Sequence, residues 1–142
     1  MIWGYSRWIV LKLYRWWYTK NLYDTHGFRT HCRECAERVV TYMEEYKRAG
    51  YKTVGVLSCD GSPTCGVSIT SYDENWGGSP IELEYNDAII EGQGVYIEEL
   101  REEIKNRGLE VPPFYGLALD DESVDMDRIL SDFDTFIKGI CQ

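Results

Sequence analysis

Between Gly27 and Gly50 the apolar positions Phe28, Cys32, Cys35, Ala36, Val39, Val40, Met43 and Tyr46 recur every third or fourth residue, the spacing of one helical face. Thr25 stands where an N-cap belongs, and Gly50 suits the first residue past the helix end. Arg33–Glu37 and Glu34–Arg38 are oppositely charged pairs one turn apart on the outer surface. From Tyr51 to Ser58 the pattern changes to a strand, with Val54, Val56 and Leu57 supplying its apolar content. A tight loop follows, Cys59-Asp60-Gly61-Ser62-Pro63-Thr64-Cys65-Gly66, marked by its glycines, proline and aspartate. Residues 70–93 show no clear period and read as a long loop with a short strand; Trp76-Gly77-Gly78 and Ser79-Pro80 lie within it. Gly94 to Arg107 is a second helix, with Ile97, Leu100 and Ile104 inward, acids outward and Gly108 ending it. Pro112-Pro113 leads into a second strand, Phe114 to Leu119. Asp120, Asp121 and Ser123 offer a cap for a third helix running to about Gly139, whose inner face is Met126, Ile129, Leu130, Phe133, Ile137 and Ile140.

The order helix, strand, helix, strand, helix predicts an α/β domain with a mainly parallel sheet. The expected architecture is a three-layer, Rossmann-like domain. Such a sheet normally has about four or five strands, so the pattern reads as the latter part of the domain, incomplete at its amino-terminus.

The chain has 142 residues, the size of one domain, 1–142. Its net charge of −9 argues against nucleic acid and anionic membrane as partners. The charge is unevenly spread. Residues 1–58 carry 10 Lys+Arg against 5 Asp+Glu (+5), and residues 59–142 carry 5 against 19 (−14). Residues 1–20 form an atypical leader with Arg7, Lys12, Arg15 and Lys20, no acid, and Trp3, Trp8, Trp16 and Trp17. Its apolar stretch is too short for a secretory signal and too often interrupted by charge for a membrane span. A basic, Trp-rich interfacial helix is an alternative; the preferred reading is an apolar strand or loop packed on the domain, or the frayed remains of something longer. The five cysteines, Cys32, Cys35, Cys59, Cys65 and Cys141, are odd in number and follow no signal peptide. That favours a reducing cytoplasm, with thiols available for metal or chemistry.

The loop from Cys59 to Gly66 carries the densest chemistry. It lies at the carboxyl end of a strand, where sites form in open α/β sheets, and it holds thiols, hydroxyls and Asp60. Gly66 after Cys65 would let backbone amides approach a bound sulfur or anion and lower the thiol pKa. The bland alternative is a turn that needs its Gly and Pro. Cys32-x-x-Cys35 resembles half a zinc site, and with Cys59 and Cys65 it would make four thiolates; the alternative is small buried thiols on a helix. His31 would serve as a base if brought to Cys65, yet a partly exposed polar role suits both His26 and His31. The acidic run Asp120 to Asp127 lacks the alternation of a calcium loop and fits a strand-to-helix turn.

Gly61-Ser62-Pro63-Thr64-Cys65-Gly66-Val67 resembles the Ser-Pro-x-Cys-Gly motif of the thiouracil desulfurase family, and in particular its desulfurase-related desulfidase branch. Further stretches carry the resemblance: Tyr14-Arg15-Trp16-Trp17-Tyr18-Thr19-Lys20, Tyr23-Asp24, Gly27-Phe28-Arg29, His31-Cys32-Arg33, Trp76-Gly77-Gly78 and Gly92-Gln93-Gly94-Val95-Tyr96-Ile97-Glu98-Glu99-Leu100. It implies a [4Fe-4S] cluster on three cysteines, with one open iron that takes sulfur from a small thiolated molecule without net redox change. Cys65 would be one ligand and Ser62 the catalytic residue; Cys59 would be an additional candidate ligand, with Asp60, Gly61 and Gly66 beside the site. The family's other two cysteines lie upstream, one in a Cys-Pro-Glu motif whose place falls near Tyr5-Ser6-Arg7, and neither is present. The sequence is compatible with three functions: an iron–sulfur desulfidase, a non-catalytic remnant of the same fold that binds a partner or forms a homodimer, and a structural zinc protein.

Overall fold

A computed structural model describes residues 19–72, 89–117 and 126–140. Chain order runs α1 (Lys20–Tyr23), α2 (His26–Arg48), β1 (Val56–Cys59), β2 (Ile69–Ser71), β3 (Ile89–Glu91), α3 (Val95–Asn106), β4 (Phe114–Leu117) and α4 (Met126–Ile140). The leader, Trp76-Gly77-Gly78, the acids of 120–125 with their cap, and Cys141 lie outside the described residues.

α2, α3 and α4 form where the period placed them, the short α1 being an addition, and Thr25 caps α2 by accepting a hydrogen bond from Phe28 N (3.3 Å). α2 and α3 pack on each other. Ala36 and Val40 meet Leu100 and Ile104 in a buried cluster, joined by Met43, Tyr96, Leu109, Val111 and Phe114. The apolar stripe of α2 is narrower than expected, since Val39 and Tyr46 are exposed. The pairs expected along α2 form differently: Arg33 reaches across to Glu99 on α3, and Arg38 bonds the Glu34 carbonyl (3.3 Å).

β1 and β4 pair in parallel, Val56 opposite Phe114 through Cys59 opposite Leu117. β1 begins later than the sequence pattern suggests, at Val56. Alternation along β4 sends neighbouring rings to different partners. Phe114 joins the α2–α3 cluster, while Tyr115 meets Phe133 and Phe136 of α4 with ring centroids 5.7 and 4.9 Å away. On α4 Ile129 is buried, but Leu130 is 56% exposed and Ile137 is exposed, so the inner face rotates toward Phe133 and Phe136. β2 and β3 form a separate antiparallel pair, Ile69 opposite Glu91. Among the described residues the structure is therefore a mixed α/β arrangement with one parallel and one antiparallel strand pair, and no helix is long and apolar enough to cross a membrane.

Candidate functional site

The Cys59–Gly66 loop leaves the carboxyl end of β1, where the ladder to β4 continues one residue further through Asp60 N to Leu117 O (2.8 Å). Asp60 is 8% exposed. Its Oδ1 accepts from Val67 N (2.7 Å) and Ser68 N (2.9 Å), so a side chain at the start of the loop ties down its far end. The Asp60 carboxylate lies against Gly116 of β4 so closely that a Cβ there would collide with it. Gly61 sits at φ +81° and its N–H reaches Ile69 O (3.0 Å), turning the chain toward β2.

Ser62 organises the next turn. Its Oγ accepts from Cys65 N (3.1 Å) and Thr64 N (3.4 Å), and its carbonyl accepts from Gly66 N (3.0 Å) and Thr70 Oγ1 (3.0 Å). The amides expected to face a ligand beside Cys65 are thus used inside the loop, since a short Ser side chain competes for nearby N–H groups. Thr64 Oγ1 stands 3.3 Å from Ser62 Oγ and 3.3 Å from Cys65 Sγ. It links the two candidate residues, a role the sequence reading did not assign it. The signal was there in the hydroxyl between Ser62 and Cys65. Cys65 is half-buried, and Ser58 Oγ donates to its carbonyl (2.7 Å). Cys59 Sγ lies 3.9 Å from the Asp60 carbonyl.

The loop is seated on the first turn of α3. Pro63 O accepts from Val95 N (3.1 Å), Thr64 O from Tyr96 N (2.9 Å) and Ile97 N (3.3 Å), and Gly66 O from Gly94 N (2.9 Å). These carbonyls satisfy helix N–H groups that would otherwise lack partners. A Cβ on Gly94 would strike the backbone of Thr64 and Cys65, so glycine is what permits this approach. The start of α2 docks on the same turn of α3. Arg29 Nη2 bonds Glu98 (2.8 Å), Arg29 Nη1 bonds Glu99 (2.8 Å), and Arg33 Nε bonds Glu99 (2.7 Å). Burial pushes the Glu99 carboxyl up, but the hydrogen bonds from Arg29 and Arg33 outweigh it and hold the group below the usual range. The hydrogen bond from Arg29 likewise holds Asp24 low.

Cys32 is 3% exposed. Burial, then the charges of Cys35 and Glu99, push its thiol up to about 11, and Cys65 acts in the same direction. Tyr96 is raised by burial and then by Cys35, Cys65 and Cys32. His31 is exposed, with Nε2 3.7 Å from Cys35 Sγ; its described sulfur contact is with Cys35. No three His, Cys, Asp or Glu side chains among the described residues gather tightly enough to hold a single metal ion. The four thiols expected for zinc are therefore not assembled. A cavity of about 510 Å³ lies elsewhere, against Lys52, Val54 and Pro113 before the amino ends of β1 and β4.

Over 49 residues the chain is 35% identical to an uncharacterized protein of Methanocaldococcus jannaschii. The stretch covers 34% of this chain and 31% of that protein, so the match spans about a third of the relative's length. No family model matches the chain, and no solved structure matches it.

Proposed function

We propose that this chain is an iron–sulfur-dependent desulfidase of the thiouracil desulfurase type, acting on a small thiolated molecule in a reducing cytoplasm. The observation that carries the reading is the chain of contacts from Ser62 Oγ through Thr64 Oγ1 to Cys65 Sγ, held at the carboxyl end of a parallel strand pair, where α/β sheets place their ligands. The division of Phe114 and Tyr115 between different helices supports a three-layer, Rossmann-like arrangement around β1 and β4.

Of the three thiolates that a [4Fe-4S] cluster of this type takes, the described site offers Cys65, and no group of three His, Cys, Asp or Glu among the described residues gathers there to hold a metal ion. Cys65 is a half-buried thiol outside any disulfide, and a soft thiolate is the ligand such clusters take. The cluster, when bound through Cys65, supplies an open iron that accepts sulfide as a Lewis acid. The protein does the rest. Thr64 fixes the rotamers on either side of it, and Ser62 holds a proton at Oγ within reach of a ligand beside Cys65. Asp60 keeps the loop in shape by holding Val67 and Ser68 N–H.

The test is anaerobic loading with iron and sulfide, followed by sulfide release from 2-thiouracil. The wild-type chain is expected to release sulfide, and Ser62→Ala to lower turnover by about 10²-fold or more. A loaded protein whose turnover is untouched by Ser62→Ala removes Ser62 from the chemistry. Failure to load removes the cluster reading.

A further inference from the structure

The face that α2 turns to α3 does not use all of its apolar residues. Ala36 and Val40 are buried against Leu100 and Ile104. Rotated away from them lies a second stripe: half-buried Cys35, then Val39, Tyr42 and Tyr46, which are 38%, 61% and 59% exposed. Tyr51, also exposed, extends it by meeting Tyr46 edge to face, with ring centroids 6.2 Å apart. The steps from Cys35 to Tyr46 are four, three and four residues, the spacing of a seam between two helices. Large apolar side chains left in water along one line mark a docking surface.

The charges beside the stripe say what covers it. Arg38 and Glu45 lie two turns apart on the flank away from the Ala36–Val40 face. Arg38 Nε bonds the Glu34 carbonyl (3.3 Å), and neither Arg38 nor Glu45 has an ion pair among the described residues. A twofold axis through the middle of the stripe makes this surface its own complement. With two copies of α2 antiparallel, Val39 of each faces Tyr42 of the other, and Cys35 faces Tyr46, because both pairs share one midpoint. In that register Arg38 of one copy stands about 3 Å along the helix axis from level with Glu45 of the other, within reach of a long side chain. Symmetry makes the pair twice. Glu34, the other acid on that flank, lies farther round the helix from the seam than Arg38.

We propose that the exposed stripe of α2 is a docking surface for a second copy of this chain, in an antiparallel α2–α2 contact with Arg38 and Glu45 paired across it. Tyrosine suits such a surface, since it brings a large apolar ring and a hydroxyl that can stay wet. α2 then serves two neighbours, α3 within the chain and its own copy outside it. The contact needs nothing of the chemistry at the Cys59–Gly66 loop.

Sedimentation equilibrium of the full chain over about 1–200 μM, at about 150 mM salt to screen the repulsion of two acidic copies, reads the association. Wild type is expected to be mostly dimer at the top of that range. Arg38→Glu sets like charges across the seam twice, and Tyr42→Glu puts a charge into the seam; each is expected to weaken association about tenfold or more. Arg38→Glu/Glu45→Arg remakes the pairs with their signs exchanged and is expected to return within about threefold of wild type. Arg38, Tyr42 and Glu45 are exposed, so the variants keep the fold, checked by circular dichroism; if Tyr42→Glu unfolds, the charge exchange decides. A wild-type monomer throughout, with the stripe bare or covered by another part of the chain, would overturn the contact. So would a dimer that Arg38→Glu leaves unchanged, or one that the double exchange fails to restore.

Discussion

Asp60 and Gly116 are two halves of one fitting. The carboxylate fills the space that a side chain on β4 would otherwise take and bonds two backbone N–H groups across the loop. Asp60→Ala strands those donors and is expected to cost about 1–3 kcal/mol; Gly116→Ala forces the carboxylate aside at about 1–3 kcal/mol. Urea unfolding checks both, and because the residues touch, the double variant should fall short of the sum. Cys32 offers a second prediction at this scale. Its folded thiol is raised to about 11 against about 8.5 for an exposed thiol. Its contribution to stability is complete below about pH 8.5 and is lost as pH rises toward 11, because the unfolded chain ionises first. Alkylation read by peptide mass spectrometry should be slower at Cys32 than at half-buried Cys35 and Cys65. The Cys59–Gly66 loop was legible because Gly, Pro and Asp announce a turn after a strand. What Ser62 does with its neighbours was not, since the partners of an amide depend on folded geometry.

At the scale of elements, the ion pairs do what helix spacing alone did not foretell. Arg33 has Glu37 one turn away, yet it reaches to Glu99 on α3, where packing has already excluded part of the water. Period finds a helix face; it does not say which helix will share it. α2, α3 and the strand ending at the loop were all readable from apolar spacing. The short strand expected within residues 70–93 could not be located, because Ile69–Ser71 and Ile89–Glu91 are each too short to show alternation, and β1 was overextended toward Tyr51. The paired acids set an acid dependence. Asp24 and Glu99 are held below their usual range, so the stability they add is present above the unfolded carboxyl value and is lost as pH falls through the folded one. Glu99→Gln should be less stable than wild type near pH 7 and lose less on acidification to about pH 3. Urea midpoints across that range provide the measurement.

Over the whole molecule, the division of charge along the sequence acquires a structural meaning. The basic first part meets the acidic second part through Lys20–Glu98, Arg29–Glu98, Arg29–Glu99 and Arg33–Glu99, while Arg107–Glu44 joins the two parts in the opposite sense. Sequence order had separated charges that the fold brings together at the α2–α3 seam. Beneath that seam lie Ala36, Val40, Leu100 and Ile104, whereas α4 exposes Leu130 and Ile137. Amides in the middle of α2 and α3 are therefore expected to exchange with deuterium more slowly than those of α4, read by exchange mass spectrometry. Equal protection would mean that the helix pair does not lead the stability of the fold. The seating of residues 63–66 on Gly94–Ile97 has a consequence for anyone who would rebuild this protein. Loop and helix start interlock backbone to backbone, so neither can be transplanted alone. They travel as one cassette, and a donor sequence would have to bring both sides of the joint.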